Sequence, residues 1–480
     1  MTRTLRIQLA LVGAIAAAAC SPSDLLKVTN PDTIDPSGAL TPAKVAPLFA
    51  GAVGDFALAA VGDNGGTEGQ LLVSASFTDE TGNSETFPTR KEYDQRGPTD
   101  PKNGTLLAVF RQLHRARRSA ETAAAAIKAV ATTPLTDPRI AESYSLAGLI
   151  YIFMGENYCN GMPVSTATLD GTLTFTDPLT TTDVFNRAIS RFDSALAYPA
   201  NSTVTTLAKI AKARALFDLN QPAAAAALVA GIPTSFVYNV SFNLAVAGQN
   251  NPVYTFMNLN KRFSVANLDG GNGLNFRAAL DPRVPWARVP ASNLGFDKAT
   301  PQFDQGKYAN ESASIPMATG VEARLIEAEA ALRVGDVPTW LNTLNTLRAT
   351  TSLIPKLFPA VFPAVNTSSA ACAPSCIGLL PGFTALAPLT DPGDQASRVD
   401  LMFRERAFWL YLTGHRLGDL RRLVRQYSRS AAAVFPGGGG AQYVIDGNPK
   451  GGIFGNDVNL SIPLDETNNP KFSACIDRNP

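Results

Sequence analysis

The chain has 480 residues, of which 45% are hydrophobic and 17% are charged, a composition typical of a folded globular protein rather than a disordered one. The 41 basic residues balance the 40 acidic ones, so net charge gives no electrostatic reason to expect binding to nucleic acid. A chain of this length can bury a large core, in one big domain or in two or three smaller ones.

Residues 1–19 have the pattern of an export signal. Arg3 and Arg6 precede the apolar run IQLALVGAIAAAA, which is short for a membrane span, since about 20 residues are needed. Three alanines lead into Cys20 as in a bacterial lipobox, although lipoboxes usually carry leucine at the first of these positions. We expect lipid on Cys20 and a polar tether over residues 20–40; the alternative is an ordinary signal peptide cleaved near the same point. The absence of another long apolar run predicts a protein that is anchored to a membrane and does not span it.

The remainder of the chain is predicted to be a single, mainly α-helical domain, residues 41–480. A Thr-Pro pair opens the first helix pattern, and Pro134 stops the second, which is alanine-rich and amphipathic. The last of these early patterns repeats its apolar residues with a helical period. The helix patterns cover residues 41–61, 104–131, 138–158 and 181–198.

Two later helix pairs resemble each other. One starts at Ala211 with AKARALFDLNQPAAAAALV, and the other starts at Ile326 with IEAEAALRVGDVPTWLNTL. Each has small residues at helical spacing, a turn and then a second helix, which is typical of tetratricopeptide hairpins that stack into a curved scaffold. We expect this scaffold over about residues 41–231 and 316–350.

Three tracts lack helix patterns and are expected to form long, irregular loop-rich insertions. Residues 62–103 are rich in Gly, Asn, Thr and Asp, residues 232–315 in Asn, Gly and Pro, and residues 351–395 in Pro. Long loops in a compact domain are usually functional or ordered by the scaffold. A glycine-rich run in the C-terminal tail, residues 426–480, lacks the Gly-Lys-Ser/Thr of a phosphate loop and is expected to be a flexible loop.

Export places the remaining cysteines in an oxidising compartment, where disulfides are favoured over metal sites. With Cys20 lipidated, the other four cysteines allow three pairings. Cys372 and Cys376 share a Pro-containing loop, and a bridge there leaves Cys159 to pair with Cys475. A metal site is the alternative, but the chain has only two histidines, and we expect no metal and no cofactor.

The stretch FRERAFWLYLTGHRLGDLRRL, residues 403–423, mixes arginines and two acidic residues with bulky apolar side chains. It is predicted to form two helices within residues 396–425, which meet at Gly414. Glu405 lies on the apolar stripe of the first helix and is expected to be buried, where a carboxylate needs partners. We interpret the charges as an ion-pair clasp that holds the two helices together, because arginine suits bidentate pairing with carboxylates. Its members are Glu405, Arg416, Asp419 and Arg422, and His415 is expected to be structural.

This stretch resembles the C-terminal signature of the SusD/RagB-like lipoproteins, roughly Glu-Arg-x-x-Glu-Leu-x-x-Glu-Gly-His-Arg-x-x-Asp-Leu-x-Arg. Trp409 and Thr413 stand where the signature has its second and third glutamates. The closing segment SIPLDETNNPKF is similar to the Pro-x-x-Glu-x-x-x-Asn-Pro ending of the same proteins. The matching positions are Glu405, Arg406, Leu410, Gly414, His415, Arg416, Asp419, Leu420 and Arg422, and Pro463, Glu466 and Pro470 in the ending.

The resemblance implies a SusD-like fold and a lipoprotein on the cell surface of the outer membrane. Such proteins bind oligomeric nutrients, glycans or peptides, and deliver them to a TonB-dependent, SusC-like barrel; they are not enzymes. The sequence contains no Gly-x-Ser-x-Gly and no His-Glu-x-x-His motif. Two alternatives stay open: a tetratricopeptide-type adaptor that binds proteins, and a surface glycoside hydrolase with carboxylates such as Asp79 and Glu80.

Aromatic and polar residues of the loop tracts are the candidates for ligand binding, because sugar faces pack on rings and polar side chains bind hydroxyl groups. Trp286 is one candidate, and its alternative role is to cover the scaffold surface. The others lie together in the first tract: Phe87, Tyr93, Asp94 and Arg96. The other two tryptophans fall in predicted helices and are expected in the core.

Overall fold

Helices make up most of the described chain in the computed structural model. The structure describes residues 41–64, 66–97, 100–133, 136–167, 172–198, 201–288, 292–358, 376–377 and 385–480. The α-helices are α1 Val45–Val61, α2 Gln70–Phe77, α3 Pro88–Asp94, α4 Gly104–Val130, α5 Pro138–Asn157, α6 Thr181–Ala197, α7 Ser202–Asp218, α8 Pro222–Val229, α9 Pro252–Tyr254, α10 Gly320–Arg333, α11 Val337–Ala349, α12 Leu353–Leu357, α13 Gln395–Trp409, α14 Arg416–Tyr427 and α15 Ala431–Val434. The signal segment, the tether and Cys20 lie outside the described residues.

Short antiparallel strand pairs order the loop-rich parts of the chain. The strands are β1 Thr81–Asn83, β2 Thr166–Ala167, β3 Leu173–Thr174, β4 Val237–Val240, β5 Phe263–Val265, β6 Trp286–Ala287, β7 Asp304–Gln305, β8 Ile315–Thr319, β9 Cys376–Ile377, β10 Gln442–Ile445 and β11 Asn448–Ile453. They pair as β1–β5, β2–β3, β4–β8, β7–β6–β9 and β10–β11. The pairs β1–β5 and β4–β8 join segments that are far apart in the sequence.

The long helices start where the sequence supplies side chains that cap them. Asn103 accepts hydrogen bonds from the amides of Thr105 and Leu106 at the start of α4, and Thr180 forms a capping box with Asp183 at the start of α6. Such caps satisfy backbone donors that have no partner within the helix.

Successive helices pack on one another in the order α1, α4, α5, α6, α7, α8, α10 and α11. This is the stacking expected of tetratricopeptide-like hairpins, and the two similar pairs of the sequence are α7–α8 and α10–α11. Helix α5 approaches α6 closely because two glycines face it. A Cβ atom on Gly148 would lie 2.5 Å from the ring of Phe192, and one on Gly155 would lie 2.7 Å from the ring of Phe185.

Four expectations about the fold need correction. The glycine-rich run of the C-terminal tail, expected to be a flexible loop, contains the antiparallel strand pair β10–β11. The tract 62–103 contains α2 and α3; all eight residues of α2 are buried, so this helix shows no alternation of apolar and polar faces. The helix of the C-terminal signature ends at Trp409, before a turn in which Leu412 and Gly414 have φ of 52° and 74°. The sequence analysis predicted no further apolar run long enough to span a membrane. The helical run Pro42–Val61 is, by length and composition, long and apolar enough to do so, and 33% of its most apolar 18-residue segment is buried.

Candidate functional site

Trp286 is not an exposed stacking platform. Its residue is 6% exposed, and its indole donates a hydrogen bond to the carbonyl of Arg277 over 3.3 Å. The ring packs edge-on against Phe303 with a centroid distance of 5.6 Å. The low exposure, the hydrogen bond and this ring contact together place the indole in the interior. The structure therefore corrects the ligand-binding assignment and places Trp286 in the scaffold.

Tyr93, Asp94 and Arg96, the polar candidates near α3, are also buried. Asp94 accepts hydrogen bonds from Ser76 over 2.5 Å and from the hydroxyl of Tyr443, and burial raises the pKa of this carboxyl to about 7. Arg96 donates to backbone carbonyls of the C-terminal tail. These side chains join α3 to the tail, and their assignment as surface contacts for a ligand is corrected.

Phe87 is the exposed member of the predicted set, with 49% of its surface accessible. It precedes α3, and its ring lies 5.6 Å from the guanidinium carbon of Arg262. Arg262 also lies 4.1 Å from the ring centroid of Phe296, which is half-buried. We call Phe87, Arg262 and Phe296 the Phe87 platform; it combines an exposed aromatic ring with a cation that lies close to two rings.

Backbone hydrogen bonds hold the three loops of the Phe87 platform together. Where the β1–β5 pair ends, the amide of Ser84 donates to the carbonyl of Arg262 over 2.9 Å. The amide of Phe296 donates to Lys261 over 2.8 Å, and that of Asp297 donates to Ser84 over 3.0 Å. Side chains separated by some two hundred positions in the chain thus form one surface that is fixed by its backbone.

A buried carboxylate beneath the Phe87 platform fixes its arginine. Glu85 forms ion pairs with both Arg262 and Arg90, and Arg90 also pairs with the buried Glu68. The guanidinium of Arg90 donates to the carbonyl of Gly66 over 2.8 Å. The ion pair with Glu85 therefore fixes the guanidinium of Arg262 close to the two rings.

The charged residues of the C-terminal signature are buried, but their partners differ from those predicted. Glu405 binds Arg283 and Arg348 over 2.7 and 2.6 Å, and not Arg416. Arg416 instead binds Asp79 through two hydrogen bonds of 2.6 and 2.7 Å. The prediction that Glu405 and Arg416 hold the two helices to each other is therefore wrong. The ion pairs of Glu405 attach α13, and that of Arg416 attaches α14, to segments elsewhere in the chain.

The remaining members of the predicted clasp form a second buried cluster. Asp419 accepts hydrogen bonds from Arg406 of α13 and from Arg422, each at 2.8 Å. Arg422 also binds Glu329 of α10 over 2.6 Å. Arg406 and Arg422 hold the pKa of Asp419 well below its usual range although burial alone would raise it. This cluster does join α13 to α14, and it adds α10 to the same contact.

His415 lies in the same interior, 3.1 Å from the carboxylate of Glu322 and 2.8 Å from the hydroxyl of Thr413. The carboxylates that the hydrolase alternative would use, Asp79 and Glu80, are 1% and 0% exposed. A substrate outside the fold cannot contact either of them. Among the described residues, no group of three or more His, Cys, Asp or Glu side chains is placed to hold a metal ion.

A disulfide joins Cys159, which follows α5, to Cys475 in the C-terminal tail, with a Cα–Cα distance of 6.0 Å. This is the long-range pairing expected from the sequence. The other expected pairing, Cys372 with Cys376, lies outside the described residues because Cys372 and the Cys376 side chain are not part of them.

Sequence reading missed Arg262, Phe296 and Glu85. Each is an ordinary residue of a loop. Only the pairing of β1 with β5 brings Arg262 and Glu85 together. The signal that could have pointed to them is the composition of the two loop tracts, in which phenylalanine occurs beside arginine at FPTR and KRFS.

Comparison with known proteins supports the fold. No protein-family model and no curated protein matches the chain. A SusD-like carbohydrate-binding protein from Bacteroides vulgatus is 14% identical with a TM-score of 0.55, and the match covers 79% of this chain and 83% of that one. A SusD-like protein from Bacteroides fragilis (12% identity, TM-score 0.60) matches over 92% and 98% of the two chains.

A SusD/RagB family protein from Bacteroides thetaiotaomicron is also 12% identical, with a TM-score of 0.60 and coverage of 88% and 94%. At these identities the likenesses establish the fold, which is mainly helical and SusD-like. They confirm the fold class and the resemblance to SusD/RagB-like proteins that the sequence predicted.

Proposed function

We propose that this protein is a SusD-type binding protein that captures oligomeric nutrients and does not convert them. The observation that carries the proposal is the Phe87 platform, an exposed ring on the loop surface of a fold shared with a carbohydrate-binding protein. The C–H face of a sugar packs on such a ring, and a guanidinium beside it donates hydrogen bonds to hydroxyl oxygens. A peptide side chain can use the same surface, so the ligand is a glycan or a peptide.

Delivery and location are part of the proposal. Lipid on Cys20 would hold the protein at the outer membrane and raise its effective concentration near a TonB-dependent, SusC-like barrel that receives the ligand. Cys20→Ala should then remove the protein from outer-membrane fractions. Gentle detergent extraction followed by pull-down should recover the barrel with the wild-type protein.

Ligand titration of the protein without residues 1–20 tests the binding function. Phe87→Ala should weaken binding of an oligosaccharide or peptide by roughly 1–3 kcal/mol, the loss measured for stacked rings at other sites. Its melting temperature should stay close to that of the wild type, because the ring is half exposed. Leu244→Ala, which truncates an exposed apolar side chain in another loop, is the matched control and should bind as the wild type does.

The same titration separates the alternatives. Equal affinity of Phe87→Ala and wild type for every oligomer that binds would reject the platform as the site. Recovery of shortened oligomers would favour a glycoside hydrolase, and a protein partner with no small ligand would favour an adaptor.

A further inference from the structure

A cavity of about 350 Å³ lies beside the strand pair that carries the Phe87 platform. It is lined by Gly82 of β1, by residues 266–271 directly after β5, and by residues 441–442 and 444–447 around β10 and the turn that follows it. In the Phe87 platform, Phe87 follows β1 and Arg262 directly precedes β5, while Phe296 comes from the loop between β6 and β7. The two features therefore lie at opposite ends of the same strand pair.

Two acidic side chains of this cavity have oxygen atoms without partners. Asp269 is 6% exposed, and its Oδ2 makes no hydrogen bond. The Oδ1 of Asp446 accepts from Arg277, whereas its buried Oδ2 has no hydrogen-bond partner. A buried acceptor without a hydrogen bond lowers the stability of the fold unless a ligand or a water molecule donates to it.

No described residue forms an ion pair with Asp269, although Arg96 lies close enough to attract its carboxylate. None of the described residues that line the cavity is a lysine, an arginine or a histidine. Arg277 is paired with Asp446, and Arg96 donates its hydrogen bonds to the carbonyls of Asp457 and Pro436. Burial and the neighbouring Asp94, Asp79 and Asp446 raise the pKa of Asp269 above its usual range.

We infer that this cavity binds a protonated primary amine of the ligand, at the unpartnered oxygens of Asp269 and Asp446. This inference rests on the proposed function and assigns its ligand to a chemical class, oligomers that carry ammonium groups. An ammonium group has three N–H donors for these oxygens, and it supplies a positive charge to Asp269, which forms no ion pair with a described residue. The volume is in the range of small-ligand sites and suits one sugar ring or one amino-acid side chain.

The rim of the cavity offers apolar contact to the carbon atoms beside that amine. Leu268 is half exposed and has a left-handed backbone with φ of 54°, which is unusual for a bulky residue. Such strained residues are found preferentially at ligand sites. The amine can belong to an amino sugar or to a peptide, and both sources place carbon atoms next to the charge.

Calorimetric titration with matched ligands tests the inference. The probes are glucosamine oligomers and the N-acetylated oligomers of equal length, and a lysine-containing peptide with its fully acetylated form. At least one free-amine probe should bind wild type about ten-fold more tightly than its acetylated match, the size of one charge-assisted hydrogen bond. Which pair shows the preference identifies the source of the amine.

Asp269→Asn should abolish this preference and leave the affinity for the acetylated probe unchanged. Asp193→Asn, which neutralises an exposed carboxylate on α6, is the matched control and should keep the preference.

Several results would overturn the inference. An unchanged preference in Asp269→Asn or no preference in wild type would each do so. A third outcome is that acetylated oligomers bind, Phe87→Ala weakens their binding and wild type shows no preference for amines. This outcome supports the proposed function and rejects the amine site. If none of the four probes binds, the amine site is rejected, and other oligomers decide the proposed function.

Discussion

The buried pair of Asp79 and Arg416 offers a direct test of how the C-terminal signature works. Asp79 lies just after α2 and Arg416 opens α14, and their side chains are 1% and 6% exposed. Burial alone would raise the pKa of Asp79, but the guanidinium of Arg416 holds it below its ordinary value. Removing one partner leaves the other charge buried, which destabilises a protein by about 3–5 kcal/mol.

The experiment is a double-mutant cycle measured by urea unfolding. Asp79→Asn and Arg416→Met should each lower the free energy of unfolding by about 3–5 kcal/mol. The double variant should lose less than the sum, with a coupling of about 1–3 kcal/mol, because the second change removes a charge that the first had left unpaired.

A second cycle provides the control. Glu405→Gln with Arg416→Met should be additive within about 0.5 kcal/mol, because Glu405 binds Arg283 and Arg348 and shares no hydrogen-bond partner with Arg416. Coupling as strong in this cycle as in the first would refute the assignment of partners. Loss of ligand binding without loss of stability would show that the charges form a binding site and are not structural.

Two further predictions concern buried groups. Trp286→Ala should lower the free energy of unfolding by about 3–5 kcal/mol in urea titrations, because its indole fills the interior; an unchanged stability would restore it as a surface platform. Burial raises the pKa of Glu80 to about 8, so the folded state keeps a proton that the unfolded chain loses, and stability falls as the pH rises from about 5 to about 7. Glu80→Gln should remove about 1.4 kcal/mol per pH unit of that slope, and an identical slope in both proteins would count against the raised pKa.

The helical scaffold could be predicted because its signals are local. Caps such as Asn103, turn prolines and a helical period of apolar residues are visible in short windows of sequence. Helix α2 was not predicted, because a helix that is buried on every side has no helical period of apolar residues. The resemblance in residues 403–423 predicted the fold class beyond what the period alone could give.

The partners of buried charges could not be predicted, although the charges themselves could. The apolar neighbours of Glu405 in its helix correctly indicated that it is buried. Its partners, Arg283 and Arg348, lie 122 and 57 positions away. Only the folded chain brings them together, so the prediction that Glu405 finds its partners within the C-terminal signature was wrong.

Exposure of aromatic residues was the other limit of the sequence. Phe87 and Trp286 both fall in loop tracts, yet Phe87 is exposed and Trp286, in the central strand of a three-stranded sheet, is buried. The difference depends on which distant strands pair with the local segment, and a loop composition does not contain that information.

These observations divide the molecule by role. The C-terminal signature pairs most of its charges internally, with Asp79 just after α2, with Glu329 of α10 and with Arg283 in the loop before β6. We therefore expect ligand choice to depend on surfaces outside the signature. The two proposed ligand sites, the Phe87 platform and the Asp269 cavity, lie at opposite ends of the β1–β5 pair and contain an exposed ring and two carboxylate oxygens without hydrogen-bond partners. Substitutions in the signature should therefore change stability, and substitutions at either end of this strand pair should change which oligomer is bound.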